Sequence, residues 1–499
     1  MPFFLLAAVF YISIIFPTQA QTGQAAQAPV AVPVALESGI PYTETLPNGL
    51  DIILLPQNGA EKAGFSLIFR GGTDAQTTKT AGLFKLLEHL IFRGVAASPG
   101  EPEPAGVLES LSAQDLHGGV QQDRFFFSFT TRPEQATQAL DTLLYLFSGL
   151  RLESAFADPK ALSDAKDMSL LFINQEFSDP SAIYENSIAR KIFVSAPWRF
   201  DIGGPDYIID SVTEDILKDH AKTWLLPNNA CLIVAGNFDP EAIRKEIPKR
   251  FSTWAKGPNP LAKPLPVFPK PGITRPTFMV LPDPSISEGK ALIEMRYRGP
   301  DASSTRYQSA LLWSVMADNP EGRLAKAIKK GLPASSNPQN LSTRYIAAPF
   351  ASWLSVSAEI AIAAKSNLPD TILTFKELVR STEMYAMKTN SAYFSVSEYE
   401  KAKSEVKEQR MAAFSDPAEA LLELGGYWIL GGLSFIRDMP NRIEKVTSKD
   451  IMAFADEYFM KNLEVLAVRL SPEDYAKQKK SFDSYGFEQM TAQKAFWWR

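Results

Sequence analysis

The amino-acid sequence predicts an α+β fold built of two duplicated α/β halves, each a mainly antiparallel sheet with helices packed on one face. Three observations carry this. The 499 residues, 45% hydrophobic and 21% charged, supply more core than one ordinary domain needs. Prolines crowd one stretch, residues 258–272, where Pro258, Pro260, Pro264, Pro266, Pro269 and Pro271 forbid a helix or a central strand. The two sides of that stretch also repeat each other. Val212-Thr213, Trp224, Asn228, Leu232 and Val234 recur, shifted by 234 positions, as Val446-Thr447, Tyr458, Asn462, Leu466 and Val468. Both copies read as a threonine N-cap, a helix, a short turn and a buried strand. Phe69-Arg70-Gly71 likewise has a counterpart in Tyr297-Arg298-Gly299. The repeat of about 220–230 residues is too long for a solenoid.

The elements follow in order. Phe3 to Phe16 is almost wholly apolar, too short for a membrane span, and Thr18-Gln19-Ala20 follows it. This predicts a signal peptide over residues 1–20, with a retained anchor as the alternative, since no Lys or Arg precedes the apolar run. Export to the periplasm or outside the cell follows, with no membrane span after cleavage. Residues 21–41, rich in Gln, Ala, Pro and Val, are a flexible leader. The first half is 42–257. It opens with Thr43–Leu46 and Leu50–Leu55 around Pro47-Asn48-Gly49, a strong hairpin signal, followed by the strand Phe65–Arg70. After the proline-rich linker 258–272, the second half spans 273–483. Helices are predicted there at Asp370–Lys388 and at Ser397–Met411, the latter opening with a Ser397…Glu400 capping box. Residues 484–499 form a tail whose Phe496-Trp497-Trp498 suits docking against the body or a partner.

Net charge is -5 and no basic face or arm is evident, which excludes nucleic acid as the expected partner. The single cysteine, Cys231, lies in the apolar run Ala230–Ala235 and reads as a buried core residue rather than a reactive thiol.

Chemistry concentrates in Thr80–Gly94. Apolar residues recur there at helical spacing, and Gly94 is placed to end the helix. Gly82-Leu83, Leu87-Glu88-His89, Phe92 and Gly94 resemble the frame around the His-x-x-Glu-His motif of the pitrilysin/insulinase (inverzincin) metallopeptidases. Leu46-Pro47-Asn48-Gly49-Leu50, Arg70-Gly71-Gly72, Asp179-Pro180, Ala196-Pro197-Trp198 and Ile202-Gly203-Gly204 resemble flanking segments of that family. The resemblance covers most of residues 42–472. It implies that the two halves form half of a clamshell. It also implies the chemistry: two histidines one helical turn apart and a later glutamate bind zinc, and the glutamate beside the second histidine polarises a zinc-bound water.

This sequence departs from that pattern. Lys85 stands where the first histidine belongs, and an ammonium has no lone pair for a metal. Glu88 and His89 remain. Counting back from Asp179-Pro180 places Leu171 or Phe172 where the glutamate belongs, whereas counting forward reaches Lys166; Asp164, Asp167 and Glu176 are the nearby acids. No catalytic residue or metal ligand is therefore assigned beyond the degenerate Lys85, Glu88 and His89. Two readings of Lys85 stand open: an ion pair with Glu88 across one helical turn, or a side chain in solvent.

The other candidates have plainer alternatives. A relocated metal site would need His117 beside His89, and His220 suits an ordinary surface or core position. Val120–Phe129 suits either a substrate-binding edge strand or, more simply, aromatic core. In the second half, the arginine and tyrosine positions that the resemblance assigns to peptide grip hold Ala327 and Ala334, with Lys326 and Tyr345 displaced. The helix around them suits a solvated face.

The expectation is a non-catalytic subunit of an exported zinc peptidase assembly that helps to form a peptide-binding chamber. No cofactor is expected in this chain. Zinc is expected in a partner, a same-family peptidase subunit with an intact motif. The alternatives are a zinc metalloendopeptidase with altered ligands and a peptide-binding assembly scaffold without proteolysis.

Overall fold

A computed structural model of the chain describes residues 39–93, 103–147, 149–193, 201–262, 273–363 and 366–498. The signal and nearly all of the leader, Gly94, Ala196-Pro197-Trp198 and most of the proline-rich linker lie outside the described residues.

Each half is built on a six-stranded sheet. The first contains β1 (Tyr42–Thr45), β2 (Asp51–Pro56), β3 (Ala63–Arg70), β4 (Gln114–Val120), β5 (Arg124–Thr131) and β6 (Ala230–Gly236), in the order β1-β2-β6-β3-β5-β4. The second contains β7 (Thr277–Pro282), β8 (Lys290–Arg298), β9 (Gln339–Ile346), β10 (Trp353–Ala361), β11 (Val465–Leu470) and β12 (Glu488–Gln489), in the order β12-β7-β11-β8-β10-β9. In the first sheet only the β2–β6 pair is parallel; in the second, β7 is parallel to both β11 and β12.

The duplication holds at the level of register. Leu67 of β3 pairs with Leu232 of β6, and the repeat offsets carry that pair onto Met295 and Leu466, which pair between β8 and β11. The threonine caps differ only in detail. Thr213 accepts from the Ile216 N–H, and Thr447 forms a reciprocal capping box with Asp450. Two boundaries are corrected. The capping box of helix Val396–Ala413 is Ser395 with Glu398, two residues ahead of the expected pair. The residues after 483 are also less separate than expected, because Glu488–Gln489 extends the second sheet as β12.

The halves also exchange helices. Helix Pro180–Ile192 belongs to the first half in sequence, yet Tyr184, Ile188 and Ile192 pack with Met279, Leu281, Val465 and Ala467 of the second sheet. Helix Pro417–Ile443 reciprocates: Leu421, Leu424 and Trp428 share a core with Ile53, Ile68, Cys231 and Ile233 of the first. Gly425 lets this helix come close, since a Cβ there would stand 2.3 Å from Ile68 Cδ1. Both helices start in the same way, with Asp179-Pro180 and Asp416-Pro417, each aspartate side chain capping the first turn. One face of each sheet thus carries its own helices and the other carries a helix from the opposite half. Burying side chains of this size stabilises by about 1.5–3 kcal/mol each, enough to bind the halves together.

Among the described residues no helix is long and apolar enough to cross a membrane.

Candidate functional site

Helix Leu83–Arg93 carries Lys85, Glu88 and His89. Leu83, Phe84, Leu86, Leu87, Leu90 and Ile91 face the first-half core, which fixes the opposite face toward helix Pro159–Ser178. The start of the helix is held by a loop through residues 201–204. Gly82 and Gly204 both take left-handed backbone conformations, and a Cβ on either would collide with the other segment's backbone, at 2.2 Å and 2.5 Å. This interlock brings Asp201 and Gly203 beside the motif.

Lys85 does not reach into solvent. Its Nζ lies 3.0 Å from each carboxylate oxygen of Glu88 and 4.5 Å from the centre of the Phe172 ring. Glu88 is almost fully buried. Burial raises its pKa, opposed by the Lys85 ammonium and by the Val120 backbone N–H that bonds to it. The residues that counting brings to the later glutamate's place have different surroundings. Leu171 is exposed, whereas Phe172 faces the ammonium. Lys166 is turned away, donating to the Asp210 carbonyl at 2.9 Å; Asp164 pairs with Lys160, and Asp167 is exposed.

Glu176 is the residue that sequence reasoning undervalued. It follows Phe172 by one helical turn on the same face. Burial, with Asp201 adding to it, pushes its carboxyl up to about 8, against the opposing pull of Lys85 and a bond from the Gly203 backbone. Asp201 is itself raised to about 6 by burial, and it accepts from the Gly204 N–H at 2.7 Å and the Trp498 indole N–H at 2.9 Å. The end of the described chain docks here. Phe496 is buried, its carbonyl accepts from Arg190, and its ring lies 5.7 Å from that of Phe177.

The three histidines lie on three different elements. His89 is half-buried on the motif helix, and His117 is exposed on β4. His220 is core: burial lowers it to about 3, and its ring packs edge-on against Phe84 at 4.4 Å. Among the described residues no three His, Cys, Asp or Glu side chains cluster closely enough to hold a metal ion. The donor set does not fit zinc of the expected kind. An ammonium already bound to Glu88 stands where the resemblance puts the first ligand, and the side chain that faces it from the next helix is the phenyl ring of Phe172.

The edge of the first sheet is β4, so of the two readings of Val120–Phe129 the aromatic core holds and the edge strand does not. Val120 ends the edge strand, and Phe125, Phe126, Phe127 and Phe129 are buried in β5, one strand in. In the second half, Tyr345 turns its hydroxyl into the core onto the Pro300 carbonyl, and Lys326 is exposed on helix Arg323–Gly331, which buries only Leu324 and Ile328. Cys231 is fully buried in β6, and burial raises its thiol pKa.

The family profile described as "Peptidase M16 inactive domain" matches residues 211–403. An uncharacterized zinc protease of Bacillus subtilis, YmfH, is 24% identical over 220 residues, 41% of this chain and 48% of that protein. The beta subunit of the mitochondrial-processing peptidase of Saccharomyces cerevisiae is 22% identical over 450 residues, 87% of this chain and 92% of that subunit. These matches support membership of the pitrilysin/insulinase-like M16 family. Its fold matches the first half of the periplasmic protease PqqL of Escherichia coli with a TM-score of 0.66 at 14% identity, covering 91% of this chain and 98% of that one. Against the PqqL structure of greater length, the match covers 51% of that chain. This chain therefore has the architecture of a duplicated clamshell half, and its match spans about half the length of YmfH.

Proposed function

We propose that this chain is a non-catalytic subunit of an exported zinc peptidase assembly, in which it helps to form the peptide-binding chamber. The observation that carries the reading is Lys85, whose ammonium holds Glu88 by both oxygens. A glutamate so held cannot polarise a metal-bound water. Zinc then belongs to a same-family partner with an intact motif, and the signal-like Phe3–Phe16 supports export. The exposed edge strand β4 is this chain's contribution to the chamber, since its free backbone groups can take an extended peptide.

One observation favours a second reading, a peptidase with altered ligands: Glu176 lies within electrostatic reach of Lys85, on the helix that would supply the third ligand. Peptide cleavage decides between the two, measured for the purified chain alone and mixed with its intact-motif partner. The subunit reading expects turnover only in the mixture, abolished when the partner's zinc-site glutamate is changed to glutamine. Turnover by this chain alone, abolished by Glu176→Gln, would overturn it.

A further inference from the structure

On the face of the first sheet away from Lys85, a cavity of about 330 Å3 opens between the halves. Arg70, Asp74, Phe350, Ile429, Leu430 and Gly432 line it. Arg70 ends β3, and its guanidinium stacks on the Trp428 ring at 3.7 Å. Among the described residues it has that ring contact and no hydrogen-bond acceptor. Asp51 acts on it electrostatically, but the oxygens of Asp51 are taken by the Trp428 indole N–H at 2.7 Å and the Thr45 hydroxyl at 2.6 Å.

The second half shows what a guanidinium at this place binds. Arg298 is the repeat counterpart of Arg70, and it too stacks on an aromatic ring, Phe193 at the end of the exchanged helix. Arg298, however, is saturated. It binds the Asp301 carboxylate at 2.6 Å, the Ser352 carbonyl at 2.7 Å, the Gly299 carbonyl at 3.2 Å and the Phe350 carbonyl. Arg70 is half-buried and its guanidinium is free to take acceptors from a ligand, of which a carboxylate is the best matched. The helix over Arg70 is also broken at Gly431-Gly432, where the backbone leaves helical geometry. A Cβ on Gly432 would stand 3.7 Å from Arg70 Nη2, so the guanidinium faces the break and the start of the helix that resumes after it, a second attraction for negative charge.

We propose that this cavity binds the C-terminal residue of an apolar-ended peptide, its carboxylate held by Arg70 and its side chain by Phe350, Ile429 and Leu430. Two carboxylates, Asp74 and Asp123, also line the cavity, and Asp123 is held by Arg124 at 2.8 Å. The volume suits one residue and part of a second. The site is separate from the Lys85 motif and stands or falls independently of the subunit reading.

The test is calorimetric titration of the full chain with N-acetyl-Leu-Leu-Leu, its C-terminal amide and octanoate. The acid is expected to bind, the amide at least about tenfold more weakly, and octanoate more weakly than the acid. Arg70→Met should lose binding of the acid by a similar factor while its melting temperature shifts by no more than a few degrees. Equal binding of acid and amide, or no binding of the acid at millimolar concentration, overturns the proposal; octanoate binding as tightly as the peptide overturns the peptide assignment. If Arg70→Met fails to fold, the acid–amide pair on the unmodified chain decides alone.

Discussion

Arg70 and Arg298 occupy the same place in two copies of one fold, at the ends of β3 and β8, yet their surroundings differ. Arg298 is enclosed by a carboxylate and three carbonyls, so it ties the β8 end to the 350–352 segment. Arg70 touches a ring and faces a cavity. A duplicated residue keeps its position because the sheet dictates it, while its role depends on which acceptors the neighbouring loops supply. The motif helix teaches the same lesson. Leu83–Arg93 keeps its packing against the first-half core, but Lys85 stands where the resemblance puts the first metal ligand and pairs with Glu88, facing the ring of Phe172.

The comparison can be broken by mutation. The largest effect is expected at Arg298. Arg298→Met leaves Asp301 and buried carbonyls without their partner and should cost about 3–5 kcal/mol in chemical denaturation. A loss below about 1 kcal/mol would show that the hydrogen bonds at this arginine do not hold the second half together. Next is Lys85→Met, which strands Glu88 in its buried site and should cost about 1–3 kcal/mol. A variant as stable as the parent would leave the ion pair without structural weight.

The third prediction concerns pH. Glu176 is raised to about 8 in the folded chain, above its ordinary value of 4.5, so folding favours its protonated form. The stability it contributes is fully present below about pH 4.5 and is lost as pH rises through about 8. Asp201, raised to about 6, acts in the same direction over a lower range. Unfolding free energy should therefore fall between about pH 5 and about pH 9, and Glu176→Gln should reduce that fall. An unchanged slope in the variant would remove Glu176 from the account. The smallest effect is expected at Arg70: Arg70→Met should change stability by less than about 1 kcal/mol, or raise it, because no hydrogen bond is lost.

Local signals in the sequence carried much of this architecture. Pro47-Asn48-Gly49 announced the first hairpin, Thr213 and Thr447 announced two helix starts, and the matched strands revealed the duplication. Two adjacent choices misled. Ser395…Glu398 and Ser397…Glu400 both satisfy the capping-box pattern, and only backbone geometry selects the first. The helix exchange was not legible, because an amphipathic stripe shows that a helix is buried but not which sheet buries it. One clue was available: Ser178-Asp179-Pro180 recurs as Ser415-Asp416-Pro417, at the start of the two exchanged helices. At the site, the loss of the first ligand was plain in Lys85. Phe172 could not be told from Leu171 by counting, since that choice depends on helix rotation. The Glu176–Asp201 pairing joins residues on a helix and a distant loop that no local pattern connects.

The central claim is that Lys85, faced by Phe172, stands where the resemblance puts the first metal ligand. It is tested most directly by zinc content after gel filtration, comparing the unmodified chain with the double variant Lys85→His, Phe172→Glu. The account predicts no stoichiometric zinc in the unmodified chain and about one zinc per chain in the variant, which restores two histidines at i and i+4 and a carboxylate facing them. Stoichiometric zinc in the unmodified chain, or none in a folded double variant, would contradict it.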